Sequence, residues 1–259
     1  MDRSVVMATL VRRNKYWHIT LFLYYFFIQS DTEIYQTHCI QIVSSCNPMN
    51  KGTYIVLEWT VWTGKSTQIK NLAKHLETTY PEKELLVTRE PGGTPIAEAT
   101  RTLVQWTEFD NDEMGKTCET YLYAAARAQL IETLIWPALE RWAIVLSDRS
   151  IVSSLAYQWY AYKYGIERVL DVNRPILLEY FPDCILFLDI DPEVGISRTF
   201  DATGDKHERN PLSFFNDLRT WYAHVSKIPQ FSAIRKTIDA SWTPQEVEER
   251  LNQALQNVI

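Results

Sequence analysis

Residues 53–67 read TYIVLEWTVWTGKST, and no other run constrains this chain as tightly. Tyr54 to Leu57 is an apolar run of β-favouring residues. A short loop follows, then Gly64-Lys65-Ser66-Thr67, then an amphipathic helical pattern. Strand, loop, Gly-Lys-Ser and helix together form a phosphate cradle. Loop amides converge on the anion, the Lys reaches the β/γ-phosphates and the Ser holds magnesium. A chance GKST is the competing reading, and the order of elements argues against it. The strict pattern G-x-x-x-x-G-K-[ST] nevertheless fails, because position 59 is Trp. Trp62 stands at a second position where such loops carry Gly. Amides that converge on phosphate leave little room for two indoles, and some loop positions favour glycine geometry.

The chain has 259 residues, enough for one large α/β domain or two small ones, and 46% apolar content supports a real core. Net charge is −6, so no global basic field points to nucleic acid and any phosphate site must be local. Cys39, Cys46, Cys118 and Cys184 form no C-x-x-C pair, which reads as reduced thiols in a cytoplasmic protein. Eight glycines against nine tryptophans is unusual, since Trp does not replace Gly in tight turns.

Residues 1–48 differ in character from the rest. The apolar patch Ile19–Ile28 lies behind Arg12, Arg13 and Lys15, but no A-x-A-like cleavage site follows, and the patch is too short for a membrane span. The expectation is that Met49 is the true start and that residues 1–48 have no fold role. From Met49 onward the pattern alternates. Strands are expected at Tyr54–Glu58, Leu85–Thr88, Ile144–Asp148, Cys184–Asp191 and Lys236–Ala240. Helices are expected at Ser66–Thr79, Pro95–Val104, Thr117–Glu140, Ser153–Tyr164, Ile166–Tyr180 (bent at Pro175), Pro192–Thr199, Leu212–Ser226 and Pro244–Val258. Near-continuous apolar strands such as Ile185–Leu188 fit a sheet buried on both faces. The class is α/β, a doubly wound five-stranded parallel sheet with ligands at the carboxyl ends of its strands.

Four further segments carry chemistry. Thr88-Arg89-Glu90-Pro91-Gly92-Gly93-Thr94-Pro95 forces a turn directly after a strand, which places Arg89 and Glu90 at the ligand crevice. In the long helix, Tyr123 and Arg127 are i, i+4 and share a face. An aromatic and an Arg so placed suit a base and a phosphate, although such a pair alone is more often core packing beside a surface cation. The run Ser147-Asp148-Arg149-Ser150-Ile151-Val152-Ser153-Ser154-Leu155-Ala156-Tyr157-Gln158 ends a strand in Asp-Arg, where an Asp can lie near magnesium and an Arg can clamp a phosphoryl group. The polar stretch 201–211, with Lys206, His207, Glu208 and Arg209, suits a lid, although alone it reads as a solvated charge run.

Together these segments resemble the thymidylate kinases, bacterial type, of the P-loop nucleoside monophosphate kinases. TREPGGTP and DRS-x-x-SSLAYQ carry the resemblance, and LDIDPEVG, TGDKHER and LSFF agree in order. It runs from about Met49 to the C-terminus. It implies phosphoryl transfer from ATP to dTMP on the route to dTTP, with Mg2+, in the cytoplasm, without nucleic acid or membrane, and commonly as a homodimer. It implies that Trp59, Thr60, Val61, Trp62, Thr63, Gly64, Lys65, Ser66 and Thr67 wrap the ATP phosphates. Lys65 would neutralise charge on the transferred group, and Ser66 and Asp148 would hold magnesium. Arg149, with Arg89, would clamp the dTMP phosphate. Arg127 would reach the thymine edge or that phosphate, and Tyr123 would stack on thymine. Tyr157 would close against the sugar, while Ser154 and Gln158 line the base pocket. The loop has no Arg of its own, so Lys206, Arg209 or Arg198 of the lid would complete the catalytic set.

Two departures stand out. Val61 occupies a position where many family members carry a carboxylate. The second departure is the tryptophans. Trp59, Trp62, Trp142, Trp159, Trp221 and Trp242 all occupy glycine-like positions. One replacement type repeated this way points to decoding, as in a source that reads UGA as glycine. If these tryptophans are genuine, the alternative is a catalytically dead nucleotide-binding protein. A related deoxynucleoside kinase is the other alternative, to which Val61 points and against which TREPGGTP argues.

Overall fold

The computed structural model describes residues 3–13, 16–26, 51–59, 64–105, 112, 114–161, 163–177, 180–197 and 210–259. The chain divides into two units at Met49. In the first, β1 (Arg3–Arg13) and β2 (Tyr16–Phe26) form an antiparallel hairpin, registered from Arg3 opposite Phe26 to Arg13 opposite Tyr16. The sequence reading assigned no element here. The Val, Ile, Thr and aromatic residues of both strands suit extended backbone.

In the second unit, five strands pair in the order β4-β5-β3-β6-β7, all parallel. They are β3 (Thr53–Trp59), β4 (Leu85–Arg89), β5 (Ile144–Asp148), β6 (Cys184–Asp189) and β7 (Arg235–Asp239). Central β3 is buried on both faces, which explains why its run Tyr54–Leu57 is continuously apolar rather than alternating. Ile55, Leu57, Leu146, Leu186 and Leu188 pack with Leu72 and Leu76 of α1 (Lys65–Thr79) and Leu251 of α10 (Pro244–Leu255) into one core.

Observed boundaries follow the expected ones within a few residues, and the differences have physical causes. The long helix expected from Thr117 is α3 (Lys116–Leu130), a π-helical turn at Ile131–Ile135 and α4 (Trp136–Glu140). Pro137 has no N–H for an α-type ladder, and the register shifts just ahead of it. Ser150 caps α5 (Ile151–Ser154), its Oγ accepting from the Val152 amide at 3.2 Å, and a second π-helical turn follows at Leu155–Ala161. Pro175 lies inside α6 (Ile166–Leu177). Between α8 (Leu212–Val225) and β7, the short α9 (Pro229–Ser232) was not expected. It starts at a proline, where a missing N–H costs nothing. The remaining helices are α2 (Pro95–Gln105) and α7 (Pro192–Ser197). No helix among the described residues is long and apolar enough to cross a membrane.

Candidate active site

The register of the sheet gathers the site. Asp148 is the partner of both Leu57 and Arg89. Glu58-Trp59, Arg89-Glu90 and Asp148-Arg149 therefore leave the sheet at one edge, the carboxyl ends of three adjacent strands. Helix α1 begins at the same edge. Its cap, Gly64, has φ 73°, a left-handed conformation that glycine adopts without strain, and the amides of Thr67 and Gln68 bond back to its carbonyl. Thr60, Val61, Trp62 and Thr63 lie outside the described residues, as do the side chains of Lys65 and Ser66. So do Arg198, Lys206 and Arg209 of the expected lid.

After β4 the chain turns through Pro-Gly-Gly. Gly93 has φ 84°, and a Cβ there would stand 2.3 Å from Thr88 Oγ1 and 2.7 Å from Leu130 Cδ1, so only glycine fits. The turn separates Arg89 from Glu90. Arg89 points to α2, where its Nη2 donates to both oxygens of Glu98 at 2.8 and 2.9 Å, half-exposed. Glu90 turns inward and accepts from Arg127 Nε at 2.7 Å.

Arg127 is 3% exposed, a buried cation rather than the surface one that its helical spacing alone suggested. Its Nη1 donates to Asn173 Oδ1 at 2.5 Å and its Nη2 to Ser154 Oγ at 2.9 Å. All three nitrogens are thus engaged. Burial raises the Glu90 carboxyl above its ordinary range, against the pull of Arg127. The Oε1 of Glu90 makes no hydrogen bond among the described residues. Tyr123, one turn before Arg127 on α3, is half-buried. Gln158 Nε2 donates to the buried Glu119 at 3.3 Å, while its Oε1 makes no hydrogen bond among the described residues.

Arg149 is held differently. Its backbone is left-handed, φ 72°, a strained conformation for a residue with a Cβ. Its Nη1 donates to Ser153 Oγ and Tyr222 OH, both at 2.9 Å, and its guanidinium lies 4.6 Å from the Trp59 ring and 5.9 Å from the Tyr157 ring. Glu58 sits behind this group, fully buried, accepting from the Ser150 amide and from the hydroxyls of Ser150, Ser153 and Tyr222. Burial raises its carboxyl, while Arg149 and the serines oppose that shift.

Structure and sequence disagree on Trp59. It was expected to intrude on the phosphate loop, but it is the last residue of β3 and its indole is 1% exposed within the core. Trp142 matches its expected glycine character. It follows α4 with φ 66°, its amide bonds to Leu139 O, and the next amide bonds to Ala138 O. That is the Schellman ending, whose left-handed position is usually glycine. Trp221 lies within α8, and Trp242 donates its indole N–H to Asp239. Neither has positive φ, nor does Trp159 in its π-helical turn.

Of the two expected magnesium ligands, Asp148 is the one whose side chain is described, and its carboxylate is of the type that binds this ion. Asp148 is half-buried at the end of β5. Mg2+ is usually held by one or two carboxylates, substrate phosphates and water rather than by a protein cage. No cluster of three His, Cys, Asp or Glu occurs among the described residues.

Sequence reading passed over Glu58, Glu119, Asn173 and Tyr222. Glu58 carried a signal, since a carboxylate that ends an apolar buried strand needs partners. Tyr222 carried none, being 164 residues away.

The sheet order and the glycine-started helix after its central strand define the P-loop kinase α/β class. The thymidylate kinase family profile matches residues 62–251. A thymidylate kinase of Bacillus mycoides is 35% identical over 212 residues, covering 81% of this chain and 99% of that protein. One of Halothermothrix orenii is 37% identical over 206 residues, covering 78% and 95%. The chain belongs to the thymidylate kinase family.

Proposed function

We infer that the chain transfers a phosphoryl group from ATP to dTMP, giving ADP and dTDP. Family membership favours this over a dead binding protein or a deoxynucleoside kinase. The observation that carries the reading is the Arg149 guanidinium, held by one nitrogen at the strand edge where α1 begins.

Phosphoryl transfer asks for positioning and charge stabilisation rather than covalent chemistry. In this reading residues 59–67 surround the ATP phosphates, and Lys65 offsets charge on the transferred group. Arg149 clamps the dTMP phosphate through the guanidinium edge that Ser153 and Tyr222 leave open. Arg89 assists after leaving Glu98. Arg127 and Ser154 face the thymine edge, where Gln158 Oε1 accepts a hydrogen bond, Tyr123 stacks and Tyr157 closes against the sugar. Ser66 and Asp148 would hold Mg2+, which would supply charge neutralisation at the phosphates. Lys206 and Arg209 come from a lid at 201–211 that excludes water on closure. The kinase domain is 49–259, the segment 1–48 has no part in it, and the enzyme acts in the cytoplasm as a homodimer.

The test is ADP release with Mg-ATP, comparing dTMP with thymidine as acceptor. It is run on the chain as it stands and on one with Gly at 59, 62, 142, 159, 221 and 242. Release that needs dTMP is expected. Preference for thymidine would move the assignment to a deoxynucleoside kinase. Folded but silent protein in both cases would leave a binding module.

A further inference from the structure

We propose that Glu58 is a positioning residue for the acceptor phosphate, acting on Arg149 through the hydroxyls of Ser153 and Tyr222. The proposal rests on the role for Arg149 given above.

Hydrogen-bond polarity couples Glu58 to Arg149. Glu58 Oε1 accepts from Ser150 N at 2.7 Å and Ser150 Oγ at 2.8 Å, and its Oε2 accepts from Ser153 Oγ at 2.7 Å and Tyr222 OH at 3.2 Å. A carboxylate surrounded by four donors is acting as an acceptor-only group. Each hydroxyl has one proton. With those protons directed to Glu58, Ser153 Oγ and Tyr222 OH present lone pairs to Arg149 Nη1, which donates to both. The two hydroxyls also lie within hydrogen-bond distance of each other, 2.8 Å with either able to donate, so Glu58, Ser153, Tyr222 and Arg149 form one network. One corner of the guanidinium is thereby fixed. Nε and Nη2 make no hydrogen bond among the described residues and stay available to an oxyanion. Such a fork matches phosphate oxygens.

Glu58 also fixes the backbone from which Arg149 projects. Its two bonds to Ser150 lie next to the left-handed Arg149, whose amide bonds to Leu57 O and whose carbonyl accepts from Ser147 Oγ at 3.0 Å. Glu58→Gln offers an amide NH2 that is a donor. It would turn one hydroxyl proton toward the cation and disturb the fork without changing side-chain size.

The test is calorimetric titration of the full chain with dTMP and, separately, with thymidine. Variants are Glu58→Gln, Glu58→Asp, Ser153→Ala/Tyr222→Phe and the triple combination. We expect Glu58→Gln to weaken dTMP on the order of tenfold and thymidine by less than about twofold, because only dTMP carries the group Arg149 holds. Glu58→Asp, which keeps the acceptor, recovers part of the loss. In the Ser153→Ala/Tyr222→Phe background, Glu58→Gln adds less than about twofold, since its route is already cut. Equal weakening of both ligands, or full additivity in the triple variant, would overturn the proposal and leave Glu58 as structure alone. An unaltered chain that binds neither ligand would overturn the reading of the site itself, and this proposal with it.

Discussion

Two arginines, 22 positions apart in the sequence, are solved in opposite ways: Arg127 is buried and Arg149 is partly exposed. Arg127 meets a carboxylate directly and spends every nitrogen on protein partners, Glu90, Asn173 and Ser154. Arg149 meets its carboxylate only through two hydroxyls and is held by one nitrogen. A direct buried pair fixes a cation as part of the fold. A relayed one fixes only its direction and leaves a charged edge for a ligand. Arg127 is therefore read chiefly in stability and Arg149 chiefly in turnover.

The most severe break of this contrast is Arg149→Met. Steady-state kinetics should show kcat/KM for dTMP falling on the order of 1,000-fold with the fold retained. Loss of folding without a specific loss of turnover would erase the distinction. Glu90→Ala comes next. It strands the Arg127 charge and should cost about 3 kcal/mol or more in urea unfolding.

Trp142→Gly, remote from both arginines, serves as a control and should raise stability by about 1 to 2 kcal/mol by relieving the left-handed Trp. Mass spectrometry of peptides spanning residue 142 from the native source would further show Gly there if decoding explains the tryptophans. Acid titration gives a finer separation. The Glu90 carboxyl is raised in the fold above the ordinary 4.5. Its contribution to stability is therefore full below that ordinary value and lost as pH rises through the folded one. Urea midpoints measured from pH 4.5 to 7 should fall with rising pH, and Glu90→Gln should flatten that slope. Smallest of all, Glu98→Gln breaks an exposed pair with Arg89 and should change stability by less than about 1 kcal/mol.

What the sequence made legible was local. The apolar run at Tyr54–Leu57, the Pro-Gly-Gly turn and the Asp148-Arg149 strand end each announce themselves within a dozen residues. They sufficed for the parallel sheet and for its working edge. The partners of the two arginines were hidden because they are set by packing between distant segments. Asn173 on α6 is 46 residues from Arg127, and Tyr222 reaches Glu58 from α8. Trp59 misled for a related reason. Its position in the motif suggests a loop, but pairing with Leu188 extends β3 by that residue and turns the indole into the core.

The bond between Tyr222 and Glu58 spans 164 residues, and the strand that carries Glu58 has neighbours on both sides from later in the chain. Such non-local closure is slow relative to local helix formation. During synthesis the segment bearing Glu58 would emerge well before α8 exists. Arg149 would remain without its second hydroxyl until that helix docks. Capture of nucleotide phosphate would then be among the last properties the chain acquires, a sensitive report that folding has run to completion.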